Sequence, residues 1–168
     1  MKYRQNILCL LCVAALGLGA EASAAGHVRW NFSDFLIDWG DPKGMMLIQE
    51  DDSLLLDVVD PDSRMVAREL AIPGDKFARL CITYRAEGFV GATNGELFYG
   101  TEKFPGIDGS RFFPIGSLIA DGRTQELLID VRGWKGKGTI NILRLDLVNQ
   151  APGQIYLEKI EFQPYTGN

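Results

Sequence analysis

The side chains best suited to grip a polar ligand are arginines and aromatics, and they recur at strand-like spacing. Arg85 closes the run "RLCITYR", Tyr99 sits in "ELFYGT" and Arg111 opens "RFFPI". If these strands are neighbours in one sheet, the three side chains share an outward face, and the 101–110 loop with Phe104 overhangs it. A guanidinium offers a planar fork of N–H donors. An aromatic ring offers apolar area with little loss of side-chain freedom. Together they suit sugar hydroxyls, a sugar C–H face or a uronate carboxylate. The plainer reading of the same positions is a solvated sheet face with cross-strand charge pairs such as Asp130 with Arg144.

Two tryptophans are further candidates for stacking on a ligand. Trp39 stands beside Gly40-Asp41-Pro42, a loop pattern, and is expected to be the most exposed of the three tryptophans. Trp134 lies in "RGWKGKGT", where Lys135 and Lys137 could donate to a sugar held on its ring. The competing and favoured reading makes Trp134 a plug over the end of a hydrophobic core, since tryptophans are highly buried on average. The same stretch is no phosphate loop, because Gly138 meets Thr139 directly and no helical pattern follows.

Other chemistries find little support. The single histidine, His27, leaves no histidine cluster for a metal and no ordinary serine or cysteine triad. Cys81 falls in a strand-like run and reads as a buried, inert thiol. Carboxylates crowd the turns at Asp51-Asp52 and at Asp60 and Asp62. A calcium ion at Asp60 and Asp62 stays open, against the commoner reading of turn-forming aspartates. No cofactor is expected, and no catalytic pair can be placed from the sequence, so the chain reads as a binder and not an enzyme.

Lys2 and Arg4, the apolar run Ile7 to Leu18 and the small residues of Ala22-Ser23-Ala24 have the pattern of a cleavable secretory signal. The run is shorter than the roughly 20 residues needed to span a bilayer. The expected product is one domain over 25–168, secreted or periplasmic, without a membrane span. Cys9 and Cys12 would leave with the signal. With 17 basic against 22 acidic residues and no basic run, nucleic acid is a poor partner.

The elements positioning these side chains are short strands. Runs at 28–32, 45–49, 54–59, 65–70, 79–86, 96–101, 111–115, 125–132, 142–148 and 154–162 are separated by Asp, Gly and Pro turns, and no helix is predicted. Alternation puts Ala78, Leu80, Ile82 and Tyr84 inward, and Leu143, Leu145 and Leu147 inward against Arg144 and Asp146. Two breaks in phase predict bulges, one between Trp134 and the strand that carries Leu143, the other near Glu158-Lys159. The fold class is an all-β antiparallel sandwich.

The order of these runs resembles a family. Trp30, Phe32 and Trp39 open the chain. Asp121-Gly122, the strand to Val131, Trp134 with Gly136, Leu143-Arg144-Leu145-Asp146, Gly153, and Ile160 with Phe162 close it. This pattern is similar to the galactose-binding-like jelly rolls that serve as carbohydrate-binding modules of secreted enzymes and cell-envelope proteins. The resemblance implies non-catalytic binding of a polysaccharide or glycan, with Trp39, Arg85, Tyr99, Phe104, Arg111 and Trp134 as ligand-binding candidates. It makes the matching tryptophan, Trp134, more a core element than a platform. The alternative is an envelope structural or adaptor protein that binds a protein partner through one sandwich face.

Overall fold

The computed structural model describes residues 28–33 and 39–165. Residues 1–27, which include the expected secretory signal with Cys9 and Cys12, and His27, lie outside them. Two six-stranded antiparallel sheets pack face to face. Sheet I runs β10 (Thr124–Asp130), β7 (Phe77–Glu87), β12 (Gly153–Pro164), β4 (Leu54–Val58) and β3 (Met45–Gln49). β1 (Arg29–Asn31) pairs with β12 beyond the end of β4. Sheet II runs β2 (Trp39–Lys43), β5 (Arg64–Ala67), β11 (Thr139–Asp146), β8 (Gly95–Thr101) and β9 (Phe112–Ile115), with β6 (Ile72–Pro73) on the start of β11. No helix among the described residues is long and apolar enough to cross a membrane.

The alternation of apolar residues decides which side of each strand is buried. Leu80, Ile82, Tyr84 and Ala86 of β7 and Leu143, Leu145 and Leu147 on and after β11 fill the space between the sheets. Both predicted breaks in phase are present. In β11 the register with β8 shifts between Ile140 and Ile142, so Ile140 and Leu143 both reach the core. In β12 the register with β7 shifts between Leu157 and Lys159, which turns both Leu157 and Ile160 inward. One extra residue in each strand keeps two stretches of opposite parity on the same buried side.

Trp134 is the plug, with no exposed surface. It sits in a single 3-10 turn, Arg132–Trp134, where its N–H donates to the Val131 carbonyl at 2.9 Å. Its indole packs against Tyr99 and Phe113 of sheet II and Phe162 of sheet I, at 5.8, 5.9 and 5.4 Å between ring centres. The flanking loop is tied down: Asp75 accepts from the Gly136 N–H at 2.6 Å, and Gly74 donates to Gly138 at 3.0 Å. A side chain at Gly74 would lie 2.8 Å from the Trp134 carbonyl, so this approach needs glycine.

Trp39 departs from expectation. The stretch read as a loop is the edge strand β2, and Trp39, opposite Ala67, faces inward with 5% of its surface exposed. It meets Trp30 edge to face at 5.5 Å. Gly40, Asp41 and Pro42 disguise the strand because they form an irregularity inside it, where Asp41 takes a positive φ of 46° and the register slips.

Candidate functional site

The outer face of sheet II carries two consecutive cross-strand rows of side chains. Val66, Arg144, Phe98 and Phe112 stand opposite one another across β5, β11, β8 and β9. In the next row Asp146 faces Glu96, and Glu96 faces Pro114. Neighbouring strands lie about 4.8 Å apart, so each row forms a nearly continuous strip.

Within the strip the Arg144 guanidinium lies 4.8 Å from the centre of the Phe98 ring. Phe98 in turn tilts against Phe112 at 5.6 Å, and Phe112 keeps 40% of its surface open. Arg144 donates from Nε to Asp146 Oδ1 at 2.8 Å and from its terminal nitrogen to Asp146 Oδ2. Two parallel bonds plus the ring below fix the guanidinium in position and plane. Burial raises the Asp146 carboxyl above the ordinary aspartate range, more than the Arg144 hydrogen bond lowers it. The same hydrogen bond raises Arg144 further.

Arg144 and Asp146 line one side of a cleft of about 650 Å³, shared with Asp62, Asn94, Glu96 and Asn149, and Phe98 and Phe112 continue the row of Arg144 beyond it. That volume is in the range of small-ligand sites. The walls are loops held by side chains: Asn149 accepts from the Asn94 N–H at 2.9 Å, and Gln150 bonds the Ala92 carbonyl. Asp62 is bound by Lys43, which lowers its carboxyl below the usual range. Asp60 accepts from the Asp62 N–H at 2.8 Å. The two aspartates considered for calcium are thus engaged in an ion pair and a turn, and among the described residues no three metal-binding side chains converge.

At the other end of sheet II the 101–111 loop folds back over the strand ends. A side chain at Gly100 would meet Ile142 at 2.4 Å and the Gly106 and Phe104 carbonyls at 3.0 and 3.1 Å. Phe104 is half exposed, and Arg111 reaches over its ring at 5.4 Å. Arg111 also bonds the Gly106 carbonyl at 2.7 Å and Asp108 at 2.6 Å, so its donors hold the loop together.

The six residues singled out from sequence therefore scatter. Phe104 and Arg111 lie beside the face of sheet II. Tyr99 points the other way, into the core, where it stacks on Phe113 at 5.5 Å. Arg85 is on the outer face of sheet I, over the Tyr156 ring at 3.9 Å. Trp39 and Trp134 are buried. The shared face of Arg85, Tyr99 and Arg111 does not exist, because β7 and β8 belong to different sheets. Nor do Asp130 and Arg144 pair: Asp130 binds Arg132, and Arg144 binds Asp146. Cys81 is buried, and burial with Glu126 nearby raises its thiol, which disfavours the nucleophilic thiolate.

The residues sequence reasoning missed are Phe98, Phe112 and the Arg144–Asp146 pair. The signal for the pair was present in "ILRLDL", where opposite charges two apart must share one side of a strand.

No protein-family model matches the chain, and none of the curated proteins matches it. Solved structures do. An arginine-to-alanine variant of a family 29 carbohydrate-binding module is 8% identical, with a TM-score of 0.56 over 82% of this chain and 91% of that one. An aspartate variant of such a module complexed with mannohexaose matches with a TM-score of 0.58 and 8% identity, over 81% and 89%. A lysine variant complexed with cellulohexaose gives 0.55 and 8%, over 81% and 90%. At this identity the likeness is one of fold: an all-β jelly-roll sandwich.

Proposed function

We propose that this protein is a non-catalytic glycan binder whose site is the outer face of sheet II. One observation carries the reading: an arginine locked by an aspartate at the wall of a cleft, over an aromatic ring that leads on to an exposed phenylalanine. Sugars present vicinal hydroxyls that donate and accept, next to an apolar C–H face. The Arg144–Asp146 pair offers donors and acceptors in one plane, already oriented, so little freedom is lost on binding. Phe112 supplies the apolar contact. The fold shared with modules that hold mannohexaose and cellulohexaose supports the same reading. The non-catalytic part of the proposal is supported by two of the cleft's carboxylates being engaged in ion pairs, Asp146 with Arg144 and Asp62 with Lys43. Export belongs to the same proposal and rests on the leader pattern of residues 1–24.

Calorimetric titration of the purified protein with mannohexaose and with cellulohexaose tests the reading. Arg144→Ala is expected to weaken binding roughly 10- to 100-fold, the equivalent of a lost charged hydrogen bond of about 1.5–3 kcal/mol. Phe112→Ala should weaken it about 5- to 10-fold, in keeping with an aromatic contact of roughly 1 kcal/mol. Failure to bind either hexasaccharide, followed by silence across a broad glycan array, would sink the proposal.

A further inference from the structure

The opposite face of the sandwich carries a second ordered strip, across sheet I. Its first row, in register, is Thr124, Arg85, Tyr156, Leu55 and Ile48 on β10, β7, β12, β4 and β3. The second is Glu87, Gln154, Asp57 and Met46. The Arg85 guanidinium lies over the Tyr156 ring at 3.9 Å from its centre, yet it makes no ion pair or hydrogen bond with any described residue. The Tyr156 hydroxyl donates to Gln154 Oε1 at 3.1 Å, and Gln154 donates to Asp57 at 3.4 Å. Thr124 donates to Glu158 at 2.9 Å, at the bulge in β12. Ile48 and Met46 close the strip with 43% and 53% of their surface open.

We propose that this strip is a second glycan-binding surface, so that one molecule bridges two polysaccharide chains from opposite faces. The proposal rests on the glycan-binding reading of sheet II. An arginine seated over a ring, with its donors unspent among the described residues, offers them to acceptor oxygens. The carboxylates of Glu87, Asp57 and Glu158 flank it, so a polyanion is repelled while hydroxyl protons find acceptors. That balance selects a neutral polyol. Ile48 and Met46 offer the apolar contact that the C–H side of a sugar ring needs. The Asp57–Gln154–Tyr156 chain orients its polar atoms before any ligand arrives.

The experiment compares stoichiometry and cross-linking in the purified protein. Titration with mannohexaose and cellulohexaose is expected to give two sites in the wild type and one in Arg85→Ala, Tyr156→Ala or Arg144→Ala. Soluble glucomannan should become turbid with the wild type and stay clear with each variant. Arg85→Gln, checked for an unchanged urea midpoint, separates lost recognition from lost folding. A single site in the wild type, abolished by Arg144→Ala and without turbidity, would overturn the second surface and leave the first intact. No binding of either hexasaccharide would remove the underlying reading and this one with it. Sedimentation that shows a dimer broken by Tyr156→Ala would also overturn it, because the occupant would then be a second copy of the chain.

Discussion

Each outer face of the sandwich lays an arginine on an aromatic ring, and the two arrangements differ in one respect. Arg144 on Phe98 is gripped by a carboxylate in a walled cleft, with 21% of its side chain exposed against 16% for Asp146. Arg85 on Tyr156 is also only partly exposed, yet among the described residues it has no carboxylate partner. The counter-charge, and not the degree of exposure, separates the two: Asp146 holds Arg144 from two residues along its own strand, while Arg85 has the Tyr156 ring beneath it. The two faces should therefore share ring-stacked geometry yet diverge in what each contributes to folding and in how each responds to pH.

The largest effect is one both faces must share. Trp134→Ala removes the indole that joins Tyr99 and Phe113 to Phe162 and should cost about 3–5 kcal/mol of unfolding free energy in urea. Ligand affinity on both faces would fall together. A loss confined to one face would show that the two are not built on one core.

The contrast itself is tested next. Asp146→Ala strands a half-buried Arg144 and should cost about 2–3 kcal/mol in chemical denaturation, below the 3–5 kcal/mol of a fully buried pair. Glu87→Ala, the neighbouring carboxylate in the strip of Arg85, should change stability by less than about 0.5 kcal/mol. Equal costs would erase the distinction between the faces. Between the two, Arg85→Ala removes a partly exposed cation–π contact and should cost about 0.5–1 kcal/mol by the same measurement.

The pH response is the finest of these tests. The Asp146 carboxyl holds its proton to higher pH than a free aspartate. Sugar affinity in the cleft uses the ionised carboxylate, so it is full above the raised pKa and falls as pH drops through it. The same shift acts on stability with the opposite sign. The folded state binds this proton more tightly than the unfolded chain does, so the contribution is present below the ordinary aspartate pKa and is lost as pH rises through the raised one. Titrations and melts over the acidic range should show the two trends crossing. In Asp146→Asn both trends should vanish from the cleft.

Much of the fold was legible because alternation is a local property. The inward leucines of β11, both bulges and Leu80, Ile82 and Tyr84 of β7 could be counted along the chain; at the start of β7 an irregular register puts Phe77 in the core in place of the expected Ala78. The plug at Trp134 was legible from its glycines. The site was not, for reasons visible in particular residues. In β8 the run Leu97, Phe98, Tyr99 is apolar on both sides, so parity could not tell that Phe98 faces out and Tyr99 in. Arg85 and Tyr99 could not be assigned to different sheets, because sheet order depends on contacts between strands far apart in sequence. Asp130 and Arg144 were paired by charge alone, although each has a nearer partner two residues away.

The burial of all three tryptophans has a spectroscopic consequence. Trp30, Trp39 and Trp134 are 8%, 5% and 0% exposed and look inward between the sheets, away from either outer face. Intrinsic emission is therefore a gauge of the core: blue-shifted and steady in the folded protein, moving red as water enters on unfolding. A sugar resting on Phe112 or Tyr156 touches no indole and should leave the spectrum unchanged. If a ligand did shift that emission, it would be altering how the two sheets pack.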